Sequence, residues 1–173
     1  MINLVLGGAR SGKSGFAERQ AREARLDVIY VATGEARDAE MAARIAHHRA
    51  QRPAGWRTVE EPLELAAALR RAASPAACLL VDCLTLWLTN VMLAERMTEV
   101  DRLLEVLPAL PGAIILVSNE VGWGIVPENA LARRFRDEQG RLNQCIAALA
   151  DNVTFVAAGL PLVLKHTPLP VIG

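Results

Sequence analysis

Aromatic side chains are scarce in this chain: Phe, Trp and Tyr together make up 4% of its 173 residues. Neither sign of charge is in surplus, with 19 Lys and Arg against 19 Asp and Glu. A nucleic-acid binder needs a basic stripe for phosphates or aromatic platforms for bases, so nucleic acid is not an expected partner. Long apolar runs are missing as well. The hydrophobic fraction is 52%, but it is rich in alanine, and its longest pure runs, such as residues 113–117, are far shorter than the roughly 20 residues that cross a bilayer. No transmembrane helix is predicted. Met1 leads directly into Ile2-Asn3-Leu4-Val5-Leu6 without the charged start and long apolar core of a signal peptide, and a cytoplasmic location is expected. Cysteine is rare and odd in number: Cys78, Cys83 and Cys145 stand among Leu, Val and Ile neighbours and form no Cys-x-x-Cys pair. That pattern argues against disulfides or a zinc site and predicts buried free thiols.

What is present is an alternation of short apolar runs with helical patterns. Strands are predicted at residues 3–6, 28–32, 77–81, 113–118 and 153–157, and six helices at 14–24, 38–52, 62–73, 85–94, 100–107 and 128–150. This is the pattern of repeated βαβ units, hence of an α/β domain with a mostly parallel sheet covered by helices on both faces. The length suits one domain. Pro62 and Pro127 are placed in first helical turns, while Pro53, Pro108, Pro111 and Gly112 end helices. The tail from 159 to 173 carries Pro161, Pro168 and Pro170, which limits it to an edge strand around 162–164.

Gly7-Gly8-Ala9-Arg10-Ser11-Gly12-Lys13-Ser14 reads Gly-x-x-x-x-Gly-Lys-Ser. It follows an apolar strand and opens a helix, the context a phosphate-binding loop requires. Its backbone N–H groups would point at phosphate oxygens and the helix would add the positive end of its dipole. Lys13 would neutralise the β and γ phosphates, and Ser14 would ligate Mg²⁺. A glycine turn that merely joins strand to helix accounts for the glycines but not for Lys-Ser at that offset. Asp82 closes the buried run Leu79-Leu80-Val81, at the strand end where open α/β sheets place ligands. It would hold the metal through a water, or alternatively cap the helix that follows.

A second concentration of polar residues lies at Arg44, His47, His48, Arg49, Gln51 and Arg52. At about 100° per residue His48 shares a side with Met41 and Ile45, so it is the inward histidine, while His47 points away. Arg44 and Arg52 sit four residues before and after His48, a face suited to polyphosphate. Nearby cations disfavour imidazolium and leave a ring nitrogen free to attack phosphorus. A solvated helix with incidental histidines fits the residues equally well. Glu60 and Thr33-Gly34 fall at strand ends where ligand-facing loops are expected. Ser118-Asn119-Glu120-Val121-Gly122-Trp123-Gly124 follows another strand and is read as an active-site loop, or as a surface turn with a partly buried Trp123.

Taken together these residues resemble the bifunctional adenosylcobinamide kinase and adenosylcobinamide-phosphate guanylyltransferase family of cobalamin biosynthesis. The likeness rests on residues 7–14, Tyr30-Val31-Ala32-Thr33-Gly34, the pattern Asp-x-Glu-Met-x-x-Arg-Ile-x-His-His-x-x-x-Arg-Pro-x-x-Trp-x-Thr-x-Glu over 38–60, Leu80-Val81-Asp82-Cys83-Leu84-Thr85-Leu86-Trp87, and Val117-Ser118-Asn119-Glu120-Val121-Gly122. The resemblance implies a RecA-like P-loop fold, guanylylation of His48, and nucleotide contacts from residues 7–14, Ala32, Thr33, Gly34, Arg49, Ala50, Gln51, Arg52, Glu60 and Asp82. It also implies ATP, GTP and adenosylcobinamide as substrates, Mg²⁺ held by Ser14 and Asp82, and a homotrimer. A single-activity P-loop kinase and a non-catalytic nucleotide switch are the competing readings.

Overall fold

The computed structural model describes residues 1–36, 39, 42, 43, 46 and 55–167. Its strands are β1 (Ile2–Gly7), β2 (Asp27–Ala32), β3 (Arg57–Glu60), β4 (Ala77–Asp82), β5 (Ala113–Asn119), β6 (Asn152–Ala157) and β7 (Leu160–His166). The described helices are α1 (Lys13–Glu23), α2 (Leu65–Ala72), α3 (Leu84–Leu93), α4 (Thr98–Val106), which runs on into a 3₁₀ turn at Leu107–Ala109, and α5 (Ala130–Leu149). The helix predicted at 38–52 falls almost wholly outside the described residues.

One seven-stranded sheet organises these elements in the order β3-β2-β4-β5-β1-β6-β7. All pairs are parallel except β6 with β7, which is an antiparallel hairpin. Alternation along the central strands divides the core between the two faces. Leu79, Val81, Ile114 and Leu116 join the cluster under α2 to α5, with Leu65, Trp87, Leu103 and Ile146. Cys78, Leu80, Ile115 and Val117 point the other way, onto Ala17 and Ala21 of α1. Strands buried on both faces read as unbroken apolar runs, which is why β4 and β5 are plain in the sequence.

Several expectations need correction. β3 is absent from the predicted apolar runs: Arg-Thr-Val-Glu is a short edge strand with only Val59 partly buried. The helix predicted from Pro62 starts at Leu65, because the Glu61 carboxylate accepts from the Leu63 and Glu64 N–H groups at 3.0 and 2.8 Å and holds a turn there. Pro127 likewise precedes its helix. Asn129 is the N-cap of α5, its side-chain oxygen accepting from Leu131 and Ala132 N–H. The tail strand is longer than 162–164 and contains Pro161, which an edge tolerates. Cys78 and Cys83 are buried free thiols as expected, but Cys145 is exposed, since α5 buries Gln139, Leu142, Asn143 and Ile146 and leaves position 145 outside that face.

Candidate functional site

The carboxyl ends of five parallel strands form a continuous edge. In register Gly7 stands beside Asn119, Val117 beside Asp82, and Ala32 beside both Asp82 and Glu60. At roughly 4.8 Å per strand, that edge runs about 19 Å from Gly7 to Glu60. Because Leu80 faces α1, Asp82 two residues on faces it too, and the same alternation carries Asn119 to that side after Val117.

Between β1 and α1 the chain bends through Arg10, φ 55°, and Gly12, φ 93°. The Ser11 N–H donates to the Gly8 carbonyl at 3.3 Å. No side chain caps the α1 N-terminus and its first turn has no acidic residue, which leaves a positive helix end facing the loop. Lys13 is buried and its Nζ donates to the Gly8 carbonyl at 3.0 Å, so the amine lies back across the loop. Burial pushes its pKa down, against the opposing pull of Cys83 and Asp82. Ser14 Oγ donates to Asp82 Oδ1 at 3.5 Å, and the Tyr30 hydroxyl donates to Asp82 Oδ2 at 2.6 Å. Asp82 is therefore not a helix cap; Cys83 occupies the N-cap position of α3. A hydroxyl and a carboxylate meeting in this way are hard oxygen donors of the kind Mg²⁺ prefers, and the residues present fit that ion. Among the described residues no cluster of three His, Cys, Asp or Glu side chains offers another metal site.

The remaining predicted positions divide clearly. Ala9 and Arg10 are exposed on the loop, and Glu60 is exposed at the end of β3. Thr33 is fully buried. Its hydroxyl donates to the Cys83 carbonyl at 2.7 Å and accepts from the Cys83 N–H at 3.0 Å, while its own carbonyl accepts from Asn90 Nδ2 at 2.8 Å. Thr33 thus sets the backbone beside Asp82, and Gly34 is the more open neighbour. His48, Arg49, Ala50, Gln51 and Arg52 lie outside the described residues, as do Arg44 and His47.

Part of the site is missing from the sequence-based expectations. Tyr30 is the sole tyrosine, and its place in an apolar strand is a usable signal, since a buried phenol seeks a partner. Behind Asn119, Ser118 Oγ donates to Asn143 Oδ1 at 2.7 Å, Gln139 Nε2 donates to Ser118 Oγ at 2.9 Å, and Asn143 Nδ2 donates to the Asn119 carbonyl at 3.0 Å. Thr85 Oγ1 accepts from the Asn119 N–H at 2.8 Å. The loop that follows leaves Trp123 79% exposed rather than partly buried, though stacked on Phe155 with ring centroids 5.1 Å apart.

A glycine loop that leads from a buried parallel strand into a helix, with an acid at a neighbouring strand end, is the arrangement of the P-loop nucleotide-binding α/β proteins. Solved structures share this fold. One of them, an ATPase domain, superposes with TM-score 0.54 over 98% of this chain and 78% of that one, at 13% identity. The RadB recombinase does so with TM-score 0.52 over 89% of this chain and 73% of that one, at 15% identity. The chain belongs to the cobinamide kinase / cobinamide phosphate guanyltransferase family of enzymes, whose model matches residues 3–164. It is 58% identical over 173 residues to the bifunctional adenosylcobalamin biosynthesis protein CobP of Pseudomonas aeruginosa, covering 98% of this chain and all of that protein. It is 42% identical over 182 residues to the bifunctional adenosylcobalamin biosynthesis protein CobU of Salmonella typhimurium, covering 95% and 100%. Among the described residues no helix is long and apolar enough to cross a membrane.

Proposed function

We propose that the chain acts as one catalytic domain that performs both family reactions along the edge running from Gly7 to Glu60. In the first, the loop at 7–14 holds ATP or GTP, and the aminopropanol hydroxyl of adenosylcobinamide attacks the γ-phosphorus, releasing the nucleoside diphosphate. Lys13 swings from the Gly8 carbonyl onto the β and γ phosphate oxygens, and Ser14 and Asp82 are the residues that would hold Mg²⁺. The chemistry that ion supplies when bound is charge neutralisation across those oxygens. In the second reaction a ring nitrogen of His48 attacks the α-phosphorus of GTP and pyrophosphate leaves. The phosphate of adenosylcobinamide phosphate then attacks the histidine-bound GMP, forming adenosylcobinamide-GDP and freeing His48. Ala32, Thr33, Gly34, Arg49, Ala50, Gln51, Arg52 and Glu60 form the nucleotide-binding surroundings of that step, Thr33 through its backbone.

The observation that carries this reading is the convergence of Ser14 and Tyr30 on Asp82, with Lys13 in its field, midway along a strand edge that continues past β2 to Glu60. GTP labelled at the α-phosphate is expected to leave acid-labile, alkali-stable label on the protein. The label disappears in His48→Ala and persists in His47→Ala; undiminished labelling of His48→Ala would refute the assignment. The enzyme works in the cytoplasm as a homotrimer. Supporting assembly, the outer strand β7 exposes Leu160, Leu162, Val163 and Leu164 by 57–72%, more apolar surface than a lone edge strand leaves to water. Sedimentation equilibrium at three times the chain mass is the expected result.

A further inference from the structure

The turn between β6 and β7 meets the phosphate loop where that loop reverses into α1. Ala158 and Gly159 have φ of 51° and 79°, the paired left-handed residues that close a two-residue hairpin. This turn presents the Gly159 N–H to the Ser11 carbonyl at 2.8 Å. The approach is close: a Cβ on Gly12 would stand 3.1 Å from Gly159 Cα and 3.6 Å from its nitrogen. At the other end of the loop, a Cβ on Gly7 would stand 2.5 Å from the Val156 carbonyl oxygen. Gly8 meets nothing within 4 Å. Gly7 is therefore required by β6, and Gly12, at positive φ, packs tightly against its turn.

The geometry points to Gly159 as a positioning residue for the phosphate site. In a trans peptide the C=O of one residue and the N–H of the next point in opposite directions. Pinning the Ser11 carbonyl onto the hairpin turn therefore fixes the Gly12 N–H on the opposite side, away from the hairpin. Inside that loop the Ser11 hydroxyl, on a residue only 9% exposed, has no hydrogen-bond partner among the described residues. The carboxyl-terminal hairpin thus holds the cradle in its phosphate-accepting shape before nucleotide arrives. This inference rests on the reading that residues 7–14 hold the nucleotide.

Replacing Gly159 by glycolic acid exchanges its amide for an ester and removes the N–H while keeping the skeleton. With a fluorescent GTP analogue and Mg²⁺, the Kd and the nucleotide KM are expected to rise about three- to tenfold, the worth of one backbone hydrogen bond. The kcat and the KM for cobinamide stay unchanged, a split that a general loss of structure would not give. Gly159→Asn keeps the N–H and tolerates positive φ, so its nucleotide Kd stays within about twofold of wild type. Lys13→Ala separates the two readings. If Lys13→Ala abolishes binding and the ester does not weaken it, the brace is overturned and the cradle stands. If Lys13→Ala binds normally, both are overturned. Should the ester protein fail to fold, hydrogen exchange in the unmodified enzyme decides: GTP is expected to slow Gly159 amide exchange at least about threefold, and unchanged exchange overturns the brace.

Discussion

Replacing Thr33 by valine tests how the backbone beside Asp82 is held. Thr33 is fully buried, so Val fits with nearly the same shape. The substitution removes one hydrogen bond to the Cys83 carbonyl and one from the Cys83 N–H. The carbonyl still accepts from the Trp87 N–H at 3.2 Å, so the uncompensated loss falls on the Cys83 N–H. A buried orphan donor costs about 1–3 kcal/mol and the other lost bond about 1 kcal/mol. The added methyl returns about 0.8 kcal/mol. The net expectation is a loss of about 2 kcal/mol, read as a lower urea midpoint at unchanged m. Thr33→Ser keeps both bonds and loses a methyl, at a cost of about 1 kcal/mol. Because Cys83 follows Asp82, Thr33→Val also lowers kinase kcat severalfold, whereas Thr33→Ser does not. Equal destabilisation by the two substitutions would refute the reasoning, since it would leave the hydroxyl with no role beyond filling space.

Tyr30→Phe removes the 2.6 Å bond to Asp82. Hydrogen bonds to charged groups are worth about 1.5–3 kcal/mol, so kinase activity at limiting Mg²⁺ should fall about tenfold and recover partly at high Mg²⁺; a Mg²⁺ titration measures this. Lys13 has a lowered pKa from burial, so folding disfavours its charged form. That penalty is full below its folded pKa and is relieved as pH climbs toward 10.5. Lys13→Met should accordingly bind no nucleotide, and its unfolding temperature relative to wild type should be highest near neutral pH and fall back in alkaline buffer, as thermal melts at several pH values would show. Burial pushes both the Cys78 and Cys83 thiols up to about 11, leaving about one part in a thousand as thiolate at pH 8. Iodoacetamide at that pH should modify Cys145 alone in the native enzyme and all three thiols in urea, as intact mass would show.

The fold is legible where burial is two-sided. β4 and β5 announce themselves because every residue from Cys78 to Val81 and from Ile114 to Val117 is buried, whereas β3 pairs on one side only and its composition is that of a loop. The phosphate loop is legible because its chemistry is local, with the consecutive positions from Gly7 to Lys13 setting one turn. Asp82 is visible as an acid at a strand end, but its partner Tyr30 is not, since 52 residues separate them and only the β2–β4 register brings them together. The predicted helix starts fall two or three residues early because the Glu61 carboxylate and the Asn129 amide outrank the proline rule. Cys145 escapes its predicted burial because sequence neighbours on a helix do not share a face; residues three or four apart do.

The hydrogen bond between Gly159 and Ser11 joins the loop before α1 to the β6–β7 hairpin, about 150 residues later in the sequence. Synthesis runs from the amino terminus, so the phosphate loop leaves the ribosome long before the strands that shape it. β5 supplies Asn119 beside Gly7, and β6 with its turn packs against Gly12. A nascent chain that has not yet released residue 159 carries the complete nucleotide motif without the hydrogen bond that braces it. ATP and GTP therefore bind the braced loop more tightly than the unbraced one and lend part of their binding energy to closing the hairpin on it.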